Sequence, residues 1–407
     1  MSKLSAYDAW LDDEGPAALV IREHLVPVEG PDGVFFPATF AAGEGFPGGY
    51  NIDVFPSDAD VATVAQGLGQ AKKNYKPTIE QFPAAKNVCL VDSVGSQANR
   101  IEPLFAREKY KGLVPQVVVT VNDGKGGEKS INLLDAGHRA GDALIRSTRL
   151  HTDLEAAFKA SLAGDDAPLA RISPTSLVFG VWDSRNTQAK RPRLVSSTIR
   201  AYDVRMNTRS AVYIPPLDYA ALDVFSEEER AKAERDAKNP LAIRGFVHVP
   251  ASGSHGGVTA VGGIRRDATL SLAALRLLAV REANGTLSTD RTQALRRYIL
   301  GLALVALTAP GTTYLRAGCN LVPDVDMPRG FTLVGSDGTR TAFVLTHPDA
   351  LAFATVVAQA FRVGPDRTEP FAKDLAKKDV KPEDGPGKKK RGKPAKESEP
   401  AAGGEGE

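Results

Sequence analysis

The sequence predicts an α+β fold with a disordered C-terminal tail, on three observations. β-Branched runs such as Gln116 to Val121 and Leu194 to Met206 read as strands, while Asp290 to Thr308 reads as a long helix. The two kinds of element follow one another without the strict alternation of a doubly wound sheet. From Phe371 to Glu407 the chain is rich in Lys, Glu, Pro and Gly and has too little apolar surface to fold. Residues 1–370 are therefore expected to form the folded body and 371–407 the disordered tail.

Each element has its own signal. Leu19 to Val28 reads as a kinked strand, followed by turns at Gly30-Pro31-Asp32-Gly33 and Gly43 to Gly49. Asn87 to Val91 reads as a buried strand, after which Ser93 caps a helix that ends by Pro103. Gln116 to Val121 turns through Asn122-Asp123-Gly124 into Ser130 to Leu134, a hairpin. Helices are expected over Asp135 to Leu150 and Thr152 to Ala163, then strands over Leu177 to Trp182 and Leu194 to Met206. Glu227 to Asp236 is a short charged helix on an excursion from the core. Strands at Gly245 to Val249 and Val258 to Ile264 flank a glycine-rich loop around His255. Helices at Ala268 to Ala283 and Asp290 to Thr308, a hairpin at Ser336-Asp337-Gly338 and a helix at Asp349 to Phe361 complete the body.

Composition narrows the function. No apolar run approaches the ~20 residues of a membrane helix. Met1 to Asp13 carries Asp8, Asp12 and Asp13 and has no signal-peptide core, so a cytoplasmic protein is expected. Cys89 and Cys319 stand alone, which excludes a disulfide framework or a cysteine-rich zinc site. The net charge of +2 conceals segregation: residues 1–60 hold 11 acidic and two basic side chains. Residues 185–209 instead hold Arg185, Lys190, Arg191, Arg193, Arg200, Arg205 and Arg209 against Asp203 alone. Such local fields steer polyanions.

That basic stretch is the strongest signal carried by the residues themselves. Guanidinium forks grip phosphates, and Asn186, Gln188, Ser196, Ser197 and Thr198 add neutral donors for phosphate and sugar oxygens. On a strand, Thr198, Arg200 and Tyr202 share one face. A solvated surface loop is the competing reading, and polyanion binding is favoured over it.

Asp135, His138 and Asp142 share a face if their segment is helical, and two carboxylates with an imidazole can bind a metal. A metal-dependent nuclease or other hydrolase is the alternative function on that basis. One helix makes a poor closed site, though, so no metal or other cofactor is assigned, while Arg139, Arg146 and Arg149 extend a positive face there. The loop around His255 lacks the Gly-Lys-Ser/Thr ending of a phosphate loop. There is neither a serine elbow nor a Cys–His signature, so no catalytic residue is assigned.

Four ordered segments carry a family resemblance: Asp92 to Glu102, Leu134 to Arg139, Phe179 to Arg185 and Ser196 to Ala201. With them the chain, from about Ile21 to Val363, resembles the repeat-associated mysterious protein (RAMP) superfamily. Within it, the chain is similar to the backbone subunit of the type I-U (I-G) CRISPR Cascade complex. The resemblance implies an RRM-like (ferredoxin-like) core, a four-stranded sheet with two helices, whose large insertions make a hand-like subunit. A thumb or finger is expected at approximately 207–262. It implies a non-catalytic subunit that oligomerises along crRNA, grips its backbone and presents the spacer to target DNA in antiviral defence. Implied partners are other copies, the large and crRNA-end-capping subunits, and the recruited helicase-nuclease, with no membrane. Carried onto this chain, Ser96, Asn99 and Arg100 are expected near the RNA, with His138 and Arg139 from a second shared segment. Arg185, Arg193 and Arg200 are expected to line the groove and His255 to sit on the thumb. Arg146, Lys190, Arg191, Ser197 and Arg205 complete the expected RNA-binding set.

Overall fold

The structure, a computed structural model, describes residues 3–43, 48–58, 60–62, 77–79, 81–122, 126–236 and 238–380. The first half holds β1 (Ala18–Pro27), β2 (Ile52–Phe55), β3 (Lys86–Asp92), α1 (Val94–Ile101), β4 (Val117–Asn122) and β5 (Glu128–Asn132). Helices α2 (Leu150–Leu162), α3 (Ala167–Ile172) and α4 (Thr175–Phe179) follow, then β6 (Val195–Tyr202), β7 (Val204–Tyr213), α5 (Glu227–Arg235), β8 (Val249–Ala260) and β9 (Ile264–Ser271). Next come α6 (Thr289–Thr308), β10 (Tyr314–Arg316), β11 (Cys319–Pro323), β12 (Gly330–Val334) and β13 (Arg340–Phe343). The described chain ends with α7 (His347–Phe361), β14 (Arg367–Pro370) and α8 (Lys373–Val380).

The fold is α+β. Its main sheet runs β10-β11-β1-β9-β6-β3-β2 and is antiparallel throughout, with nine strands when β12 and β13 are included. β12 takes the N-terminal half of the β1 edge and β11 the C-terminal end, and β13 pairs with β12. Alternation decides the faces. Leu19, Ile21 and Leu25 of β1, Ala268 and Leu270 of β9, and Val195, Ile199 and Ala201 of β6 all point into the core. The C-terminal half of α6, Tyr298 to Leu307, is buried on every side, as a helix apolar all round must be. It packs on α7, where Gly301 admits Ala354 and the Tyr298 and Phe361 rings stack at 4.6 Å. A buried ion pair, Glu23 to Arg266 Nε at 2.7 Å, lies under the sheet and also takes Arg329.

β6 turns at Asp203 (φ +47°) directly into β7, and β8 returns directly into β9. The β7–β8 ribbon thus springs from two neighbouring strands and carries residues 214–248 at its far end. There Ala233, Ala242 and Val247 form a small cluster separate from the main core.

Several elements differ from the sequence reading. Asp135 to Leu150 is not one helix but 3-10 turns at Leu133–Asp135 and Arg139–Gly141 and a short helix Ala143–Arg146. Gly137 and Gly141, with Asp142 capping the backbone N–H of Leu144, break the pattern. Leu177 to Trp182 is mostly α4, followed by the two-residue strand Val181–Trp182. Residues 253–257 are no loop but lie within β8. Ala268 to Ala283 begins as β9, whose buried Arg266 hid the period of two. Of the segment expected as tail, Lys373–Val380 is helical, and it follows β14, which pairs in parallel with β4. The turn at Asp123-Gly124 and residues 381–407 lie outside the described residues.

Candidate nucleic-acid interface

Three segments far apart in sequence line an open groove of about 720 Å³: Gly137 to Gly141, Gly180 to Ser184 and Lys190 to Arg193. The short antiparallel pair Val181–Trp182 with Lys190–Arg191 builds its wall, so Trp182 and Lys190 stand opposite each other. Lys190 Nζ sits 4.6 Å from the centre of the Trp182 ring, and that ring is 53% exposed. Helix α1 borders the groove: a side-chain carbon at Gly95 would lie 3.9 Å from Arg193 Nη2. Gly180 is needed at the turn, because its φ is +82° and a Cβ there would stand 2.8 Å from Arg193 Cγ.

The expected residues divide into those that face the groove and those that build it. His138, Lys190 and Arg193 are exposed, and Arg193 meets no carboxylate among the described residues. Arg139 is instead buried in the floor, with Nε 2.7 Å from Glu102 and its guanidinium 5.3 Å from the Phe179 ring centre. Burial lowers the Arg139 pKa and pushes the Glu102 carboxyl up to about 7, against the pull of Arg139. Arg191 turns away: its Nε donates to Ser161 Oγ at 2.6 Å and its Nη2 stands 2.7 Å from Asp166. Only its backbone and stem remain for the groove.

Other residues of the expected set are engaged by partners within the protein. Arg146 is buried below the site, 3.7 Å from the equally buried Asp183, which also accepts from Thr187 Oγ1 at 2.6 Å. It holds the groove loop from beneath. Arg185 donates to the Gly141 carbonyl at 2.8 Å and to Asp379 of α8, just behind the rim. Ser96 and Arg100 donate to the buried Asp92, at 2.8 and 3.2 Å, as do Gln97 and Arg316. That hub fixes the start of α1 against β3. Asn99 is exposed, and its Oδ1 lies 3.5 Å from Arg139 Nη2. Ser197 is buried and donates to Gln97 Oε1 at 2.9 Å.

The basic stretch also divides. Arg200 does not line the groove; it lies farther along β6 on the open sheet face, in register with Arg265 of β9. Arg205 is exposed on the ribbon, and His255 packs against Tyr50 midway along it, ring centres 4.8 Å apart. Asp135, His138 and Asp142 do not make a metal site: His138 is exposed, 3.9 Å from Asp142, and their common helix is absent. Among the described residues no three His, Cys, Asp or Glu are grouped to hold a metal ion, and no helix is long and apolar enough to cross a membrane. Trp182 is the lining residue that sequence reasoning missed. A tryptophan a few residues before a basic run is its signal, passed over because Leu177 to Trp182 reads as a strand.

A family model, CRISPR-associated protein GSU0053, matches residues 19–206. Over those residues the chain is similar to that family. The groove residues lie inside the matched region. The match supports a CRISPR-associated role. A search of curated proteins finds no match.

Proposed function

We propose that the chain is a repeating, non-catalytic backbone subunit of a type I-U CRISPR effector complex that grips crRNA in the groove beside α1. The observation that carries this reading is the meeting of Gly137 to Arg139, Gly180 to Ser184 and Lys190 to Arg193 around an exposed indole. Lys190 and Arg193 supply charge for phosphates, and the Trp182 face suits a stacked base or ribose. Charge and stacking carry no base identity, so any spacer is accepted and sequence is read by guide–target pairing.

In this reading β1, β9, β6 and β3 with α1 and α6 are an RRM-like core. The β7–β8 ribbon and its tip are the thumb. The protein is cytoplasmic, and its partners are crRNA, target DNA through the guide, further copies of itself and the other Cascade subunits.

The test is co-expression with a repeat–spacer transcript followed by size-exclusion chromatography and nuclease footprinting. High-molecular-weight particles with excess absorbance at 260 nm and RNA protected at regular intervals are expected. A nucleic-acid-free monomer overturns the reading.

A further inference from the structure

Asp379 sits in the last turn of α8, where the helix dipole favours cations and works against a carboxylate. Its partner accounts for its place. The Asp379 carboxylate accepts from Arg185 Nε, and the two side chains are only 30% and 16% exposed. Arg185 follows the groove residue Ser184 directly, and its Nη1 donates to the carbonyl of the groove residue Gly141 at 2.8 Å. A carboxylate of the protein itself therefore occupies a guanidinium at the groove rim.

The helix that carries it is lightly docked. Backbone pairing brings the chain to this place: β14 runs parallel to β4, the Phe371 N–H donates to the Thr120 carbonyl at 2.8 Å, and the Ala372 N–H donates to the Ser147 carbonyl at 2.7 Å. Past Ala372, no residue of α8 is buried. A segment with so little apolar burial opens locally at small cost in free energy. The guanidinium is a rigid fork, so an anion can take its Nε edge while Nη1 keeps the Gly141 carbonyl. A phosphate oxygen suits that edge as well as a carboxylate does.

We propose that Arg185 is a phosphate contact for the polyanion held in the groove, and that Asp379 is an internal competitor standing in that phosphate's place. This rests on the reading of the groove as a polyanion site. Ligand binding displaces α8 from the rim, and by reciprocity a weakened α8 contact strengthens ligand binding. The exchange of one anion for another at Arg185 carries no base identity.

The experiment uses the full chain and two unrelated single-stranded RNAs, with affinity measured by fluorescence anisotropy. Asp379→Asn should bind about 2–5-fold tighter than the parent, the range that ion pairs near a surface span, and equally for both RNAs. Asp374→Asn removes the same charge from an exposed position on the same helix and should gain less. In an Arg185→Ala background the extra gain of Asp379→Asn over Asp374→Asn should vanish. Saturating RNA should also quicken hydrogen exchange across 373–380 in the parent. An Asp379→Asn chain that binds no tighter than Asp374→Asn overturns the competition and leaves the groove reading intact, since the parent still binds. An extra gain that survives Arg185→Ala, or exchange in α8 that holds steady or slows with RNA, overturns it as well. A parent and variants that all bind no RNA overturn the groove reading itself, and the competition with it.

Discussion

At the scale of residues, position in the fold sorts the arginines that the sequence presents alike. Arg146 neutralises the buried Asp183, and removing one partner of such a pair strands the other charge. Arg146→Ala should therefore lower stability by about 3–5 kcal/mol in urea titration. Arg193→Ala should leave the urea midpoint where it is and weaken RNA binding equally across unrelated sequences. A sequence-dependent loss for Arg193→Ala would contradict a backbone grip. Glu102 beneath the groove gives a pH test. Burial lifts its carboxyl to about 7 from an unfolded value of 4.5, so the folded state binds the proton more tightly. That contribution is complete below the unfolded pKa and disappears as pH rises through the folded one. The stability advantage of the parent over Glu102→Gln should shrink from about pH 5 to about pH 8. An advantage that grows with pH sinks this account.

At the scale of elements, the ribbon is held midway along its length by close packing. Gly49 has φ +97°, and a Cβ there would lie 2.6 Å from His255 Cε1. Gly49→Ala should cost roughly 1–3 kcal/mol from backbone strain alone, and more from displacing His255 off Tyr50. Hydrogen exchange should quicken in β7 and β8 ahead of the central strands; uniform loss of protection would contradict a local joint. Elements with one clean period were legible before the structure. β1, β3, α1, α6 and α7 all lie where the pattern put them. β9 was not legible, because Arg266 occupies an inward position and its cost is met by Glu23 on the neighbouring strand and by the Leu307 carbonyl. The 139–146 region failed for the opposite reason. Helical spacing was present, but the glycines and the Asp142 cap favoured separate turns.

At the scale of the whole molecule, the ribbon tip is an energetically separate unit. Tyr213 of β7 and Val249 of β8 are direct partners, so a two-residue turn can replace 214–248 and close the hairpin. The small cluster of Ala233, Ala242 and Val247 leaves with the tip and the main core stays whole. The shortened chain should melt within about 2–4 °C of the parent, the shift expected for roughly 1 kcal/mol, yet fail to build long particles on RNA. Particles of normal length would remove the tip from assembly.

Residue type and order alone determined that this chain is α+β, that its positive charge is concentrated between 185 and 209, and that four short segments resemble a CRISPR backbone subunit. Those properties are local, so one-dimensional pattern carries them. Which cations face a ligand was decided only by the tertiary structure. Arg139, Arg146 and Arg191 meet Glu102, Asp183 and Asp166 across 25 or more residues of sequence, and no spacing rule encodes such a meeting. In the groove, Lys190 and Arg193 stay exposed beside Trp182, because packing engages Arg139 and Arg191.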